Sequence, residues 1–126
     1  ETMDAHASVY RTEATLKQAD VDVRALKERY LKVGVSDRGR RYNTELLEAV
    51  ELGFLLDLAH VLVVSALART ESRGGHFRED FPVRDDVSFM QHTMAYQDGD
   101  SGTGTEIRLG YKPVVQTRYQ PMERKY

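Results

Sequence analysis

The sequence predicts a mainly α-helical fold: a helical bundle followed by a small β-hairpin and an extended tail. Three observations predict it. Between Thr12 and Lys32, Leu16, Ala19, Val23, Leu26 and Tyr30 recur at three- and four-residue steps, which puts them on one helix face. From Thr44 to about residue 70 a wider stripe runs through Leu46, Val50, Phe54, Leu58, Val61, Leu62 and Ser65, broadened by Leu47, Leu55, Ala59 and Ala66. From His92 the period falls to two, in residues 92–97 and again in 106–111.

Residues 2–10 have helical character, with Met3, Ala7 and Tyr10 on a shared face, and read as the end of a longer helix or a first docked element. Thr12 is the expected N-cap of the second helix, and Glu13 suits the positive end of its dipole. Gly34 lies just past the far end, where a left-handed residue is expected. Residues 34–43 form a polar loop, and Asn43 or Thr44 caps the next helix, with Glu45 in its first turn. A stripe as wide as that of 44–70 needs more than one neighbour, so this is the central helix. Gly53 within it costs about 1 kcal/mol relative to alanine, which fits a close crossing. Asp85-Asp86 cap a short helix through about Gln91. Asp98 to Gly104 supplies the turn of an antiparallel hairpin that Lys112-Pro113 ends, and 114–126 is an irregular tail.

The chain has 126 residues, enough for one domain. It divides into a helical part with its following loop (1–84) and a short helix, hairpin and tail packed on it (85–126), one domain overall. With 40% hydrophobic and 30% charged residues it has a globular composition, and a net charge of −2 gives no pull toward nucleic acid. The absence of cysteine excludes disulfides, thiol nucleophiles and thiolate metal sites. A start at Glu1, without an initiator methionine, reads as an internal piece of a longer protein. The apolar run from Leu46 to Leu67 carries Glu48, Glu51, Asp57 and His60, which suits a buried helix better than a membrane span.

The least ordinary stretch is Arg69 to Asp86: four arginines, five acids and one histidine in eighteen residues. Arginine presents a planar fork of donors suited to carboxylates and main-chain carbonyls, so a loop of this content can stitch two rigid surfaces together. It also reads as a solvated surface loop with weak ion pairs, or as an anion site built from Arg73, His76 and Arg78. His6, His60, His76 and His92 show no pair at metal-ligand spacing on one helix, so no zinc site is expected. His60 is expected to be partly buried and hydrogen-bonded, and Glu48 with Glu51 to lie on a solvated face.

Residues Glu71-Ser-Arg-Gly-Gly-His-Phe-Arg-Glu-Asp80 resemble the Glu-Ser-Arg-Gly-x-His-x-Arg-x-Asp motif of the succinate dehydrogenase and fumarate reductase flavoprotein family. Val9-Tyr-Arg-Thr12, Tyr42-Asn-Thr44, Leu46 to Leu52, His92 to Tyr96, Leu109 to Pro113 and the ending Pro121 to Tyr126 are similar to family segments in the same order. L-aspartate oxidase shares the core motif, and a stand-alone helical interaction module is the other alternative. The resemblance implies a three-helix up-and-down, spectrin-repeat-like bundle from the C-terminal end of a flavoprotein subunit that oxidises succinate to fumarate and passes electrons to quinone. It implies covalent FAD in the parent and no cofactor, catalytic residue or metal in this piece. Implied partners are the flavin-binding domain of the same chain and an iron–sulfur subunit, with a membrane anchor met only indirectly and no nucleic acid. The implied location is cytoplasmic, peripheral on the inner face of the cell membrane. Glu71, Ser72, Arg73, His76, Arg78, Asp80, Arg84 and Tyr126 are the candidates for contacts between domains or subunits.

Overall fold

A computed structural model describes residues 1–97 and 106–122. The chain is mainly helical, with α1 at Thr2–His6, α2 at Glu13–Tyr30 and α3 at Thr44–Ala68, followed by β1 at Gln91–Gln97 and β2 at Ile107–Pro113. The two strands form one antiparallel sheet, in register from Gln91 opposite Pro113 to Gln97 opposite Ile107. The expected turn between them lies outside the described residues.

Helix α2 begins where the sequence indicated. The Thr12 hydroxyl accepts from the Thr15 amide at 3.2 Å, and the Thr15 hydroxyl accepts from the Thr12 amide at 3.0 Å. This reciprocal box satisfies two donors that the first turn leaves free. Leu16, Ala19 and Val23 are buried, as the stripe required. The far end departs from expectation. Gly34 is not left-handed; the Lys32 and Val33 amides instead donate back to the carbonyls of Arg29 and Tyr30, each at 3.0 Å. The tightened last turn does what a glycine cap would have done.

Helix α3 is capped by Asn43, whose side-chain oxygen accepts from the Leu46 amide at 2.8 Å. It turns the other way from the one its stripe suggested. Gly53, Leu56, Asp57, His60, Val63 and Ala66 are buried, whereas Leu46, Val50, Phe54, Leu58 and Leu62 are exposed. The helix is apolar almost all round, so its period selects no face. Its few polar and small positions select one. Asp57 faces Lys27 of α2 at 2.8 Å in a buried ion pair, and Gln97 of β1 also donates to Asp57, at 3.0 Å. Gly53 leaves room for the Tyr30 ring, since a Cβ there would stand 2.6 Å from its hydroxyl oxygen. Gly53 thus accommodates a side chain of α2, not a close approach of its backbone.

The core at the other end joins Ala7, Leu16, Ala19, Val63 and Ala66, with Met3 and Leu67 against them. His60 is 1% exposed, and neither ring nitrogen has a hydrogen-bond partner among the described residues; Asp20 Oδ1 stands 3.5 Å from Nε2. The partial burial and hydrogen bond expected of it are not found. Burial, with Arg24 and Lys27 nearby, lowers its pKa against the opposing pull of Asp20 and Asp57. The short helix expected over 85–91 is a single turn. Asp85 Oδ1 accepts from the Val87 and Ser88 amides, each at 2.9 Å, and the Phe89 amide closes the turn on the Asp85 carbonyl.

Candidate functional site

The segment after α3 folds back across the ends of both long helices. A parallel bridge sets Arg11 beside Arg78, and the Glu79 amide donates to the Arg11 carbonyl at 2.8 Å. Gly74, at φ 58°, makes the tight reversal in which Arg73 and His76 exchange backbone hydrogen bonds. Left-handed backbone of this kind suits glycine and few other residues.

Arg78 is fully buried and is the centre of this arrangement. Its Nε and Nη2 donate to the two oxygens of Asp80, each at 2.7 Å. Its Nη1 donates to the Ala66 and Leu67 carbonyls at 3.1 and 3.3 Å. Those carbonyls end α3, where the helix dipole is negative. Asp80 in turn accepts from the Glu13 amide at 2.7 Å, at the positive start of α2. One ion pair thus ties the C-terminus of α3 to the N-terminus of α2, with each charge on the favourable pole. Bonds from Arg78 and Glu13 hold the Asp80 carboxyl well below its usual range, at about 2, although burial opposes them. The Phe81 ring lies 5.0 Å from the Arg78 guanidinium.

Glu71 is the second hub, and it too is fully buried. Arg73 grips both its oxygens at 2.9 and 3.0 Å, the Asp85 amide donates to it at 2.8 Å, and Arg69 donates as well. Burial alone would raise its pKa; the bonds from Arg73, Asp85 and Arg69 outweigh burial and lower it. Arg69 carries the link on to the sheet, donating to the carbonyls of Phe89 and Gln91 and to the Thr93 hydroxyl. Arg73 also reaches Asp86 at 2.7 Å. Arg84 pairs with Asp86 at 2.8 Å and donates to the Met122 carbonyl at 3.1 Å, which ties down the tail.

His76 completes the joint. Its Nδ1 faces a donor, Arg11 Nη1, at 3.1 Å, and its Nε2 faces the Arg69 carbonyl at 3.0 Å. Arginine cannot accept, so Nδ1 is the acceptor and Nε2 carries the hydrogen; the ring is neutral. Burial lowers its pKa, as do the charges of Arg11, Arg78 and Arg69, against the bond to the Arg69 carbonyl. Ser72 accepts from the Arg78 amide at 2.8 Å and donates to the Phe81 carbonyl at 2.8 Å.

Seven of the eight residues singled out from the sequence, Glu71, Ser72, Arg73, His76, Arg78, Asp80 and Arg84, therefore meet in one hydrogen-bonded network within the chain. Tyr126 lies outside the described residues. Sequence reasoning did not place Arg11 in this network. It lies 65 positions from its partner His76, and no local pattern reports such a contact. An open cleft of about 420 Å³ lies beside the network, lined by Arg69, Arg73, His76, Phe89, His92 and Val114 among others. Its cationic lining is already used within the chain. Both lining arginines are committed to Glu71, and both His76 nitrogens are engaged. Among the described residues no group of three His, Asp or Glu is placed to hold a metal.

The family model described as fumarate reductase flavoprotein C-term matches residues 1–126. The chain is 45% identical over 125 residues to a fumarate reductase flavoprotein subunit of Mycobacterium tuberculosis, covering 99% of this chain and 21% of the relative. It is 44% identical over 116 residues to a succinate dehydrogenase flavoprotein subunit of Rickettsia bellii, covering 92% of this chain and 19% of that one. It superimposes on a mutant FrdA chain of Escherichia coli quinol fumarate reductase with a TM-score of 0.89 at 36% identity, over 97% of this chain and 20% of that one. The chain spans about a fifth of the length of the relatives it matches. Across residues 1–126 the chain therefore belongs to the C-terminal domain family of succinate dehydrogenase and fumarate reductase flavoprotein subunits.

Proposed function

We propose that this chain is a noncatalytic supporting domain. It packs on the flavin-binding body of its own subunit and helps hold an iron–sulfur partner in register while the parent interconverts succinate and fumarate and exchanges electrons with quinone. Relatives named for succinate dehydrogenase and for fumarate reductase match at nearly the same identity, which supports the couple and not one direction. The parent carries the FAD, covalently bound, and sits on the inner, cytoplasmic face of the membrane; the membrane anchor is met only through other subunits. By itself the chain is inactive. In this reading α1, α2 and α3 are the three up-and-down helices, and 85–126 stays packed on 1–84 as one domain.

The observation that carries this reading is the outer face of α3. Leu46, Val50, Phe54, Leu58 and Leu62 form an exposed apolar row, with Phe54 53% and Leu58 66% exposed. An apolar patch of that length marks an interaction site. Helix α3 is long and apolar enough to cross a membrane by length and composition alone. Glu48 and Glu51 are exposed along the same helix, however, and a carboxylate in hydrocarbon is costly. A protein surface is the better match. In the same reading Arg84 and Tyr126 make rim contacts to the neighbouring bodies, and Arg73 acts through its grip on Glu71 and Asp86. Glu71, Ser72, His76, Arg78 and Asp80 act there by holding the loop's shape.

Phe54→Glu with Leu58→Glu in the full-length subunit tests the reading. The expected result is loss of flavin retention and of co-purification with the iron–sulfur subunit. Unchanged assembly and flavin content would contradict it.

A further inference from the structure

The loop between α2 and α3 holds Tyr42 at φ 53°, the one non-glycine residue with positive φ among those described. A bulky side chain there costs about 1–3 kcal/mol of backbone strain. Its carbonyl accepts from the Thr44 amide at 3.0 Å, but its side chain is 97% exposed and gains nothing from the described residues.

The loop around it is nevertheless tightly built. Glu45 accepts from the Ser36 and Asp37 amides at 3.0 and 2.7 Å, and Asp37 accepts from the Gly39 amide at 2.7 Å. The Asn43 amide donates to the carbonyls of Asp37 and Gly39 at 2.9 and 3.1 Å, while its oxygen caps α3. The loop's carboxylates are thus engaged with backbone. Arg38, Arg40 and Arg41 are all exposed, and among the described residues none of their guanidinium groups has a hydrogen bond or ion pair. The result is a rigid knuckle: an aromatic ring held outward, flanked by three free cations, at the head of the α3 apolar row.

We propose that Tyr42 is an aromatic anchor that inserts into an acid-rimmed pocket on the body preceding this domain in its relatives, with Arg38, Arg40 and Arg41 pairing with the rim. This rests on the docking reading above and adds its polar anchor and the chemistry of the opposing surface. Tyrosine and arginine are the residue types that carry interface energy, the aromatic in a dry pocket and the cations around it. The knuckle runs into Leu46 and Val50, so a body seated on the α3 row reaches it. Anionic lipid is disfavoured as occupant because Glu48 and Glu51 lie about one and two turns into α3.

Hydrogen–deuterium exchange of residues 44–55 in the full-length flavoprotein subunit tests the anchor. Tyr42→Asn keeps a residue that tolerates left-handed backbone but removes the ring. It is expected to speed exchange there about tenfold, as loss of an anchoring aromatic should, whereas Tyr42→Phe stays near wild type. Arg40→Glu with Arg41→Glu is expected to speed it more at low salt than at high salt. Unchanged or slower exchange in Tyr42→Asn overturns the proposal. So does protection that appears only on adding phosphatidylglycerol vesicles. Phe54→Glu separates the two readings: if it opens 44–55 and Tyr42→Asn does not, the anchor fails alone. If neither does, the docking reading fails with it.

Discussion

Arg78 shows how one side chain can settle the geometry of two helices. It is buried with its charge matched by Asp80 and its remaining donors on the last carbonyls of α3. Asp80 is exposed and keeps the Glu13 amide, so Arg78→Ala loses chiefly the two charge-assisted bonds to Asp80, and a destabilisation of about 3 kcal/mol is expected in urea unfolding. Arg78→Lys keeps the charge but not the fork, and about 1–3 kcal/mol of loss is expected from the bonds it cannot make. If both variants unfold at the wild-type midpoint, the joint between helix ends is not structural. Arg73→Ala is a milder case, because Arg69 and the Asp85 amide still reach Glu71. The motif itself could be read from the sequence, since its residue types and order are unusual. What those residues touch could not, because Arg11 and Glu13 come from the far end of the chain.

At the scale of elements, the two long helices differ in how much their sequences disclosed. Helix α2 has charges on one side and Leu16, Ala19 and Val23 on the other, so its buried face was legible. Helix α3 is apolar on nearly every side, and its buried face carries Asp57, paired with Lys27, and Gly53, filled by the Tyr30 ring. The contrast is measurable in this chain. Leu16→Ala is expected to cost about 2–5 kcal/mol because it opens a cavity at a fully buried site. Leu58→Ala, at a site 66% exposed, is expected to stay within about 0.5 kcal/mol. Comparable costs for the two would mean that the face assignment is wrong. Gly53→Ala sets a gain of about 1 kcal/mol in helix propensity against a collision with the Tyr30 ring. The clash falls on the outer end of the half-exposed Tyr30 side chain, so the ring is expected to swing aside and the net change to stay within about 1 kcal/mol. The 85–91 segment was misread for a related reason: a capping aspartate starts a turn, but Phe89 and Met90 then leave it for the sheet.

At the scale of the whole molecule, two pH windows follow from His60, His76 and Asp80. The folded-state pKa values of His60 and His76 lie below the ordinary histidine value. The unfolded chain therefore binds their protons first, and stability is expected to fall as pH drops below about 6.5. Asp80 behaves in the opposite range. Its folded-state pKa of about 2, against a usual 3.8, gives stability that is full above pH 4 and is lost as pH falls toward 2. Thermal melts of the wild type and His60→Gln between pH 7.5 and 5 check the first window. The variant's melting temperature is expected to vary less with pH, and parallel curves would remove His60 from the explanation. These windows concern the inside of the domain; its role in the parent depends on the outer face of α3. Hydroxyl-radical footprinting of Phe54, Leu58 and Leu62 addresses that face directly, with the full-length flavoprotein subunit compared to this chain alone. If a neighbouring body covers the row, labelling in the full-length subunit falls several-fold at all three positions, and equal labelling in the two samples contradicts the account.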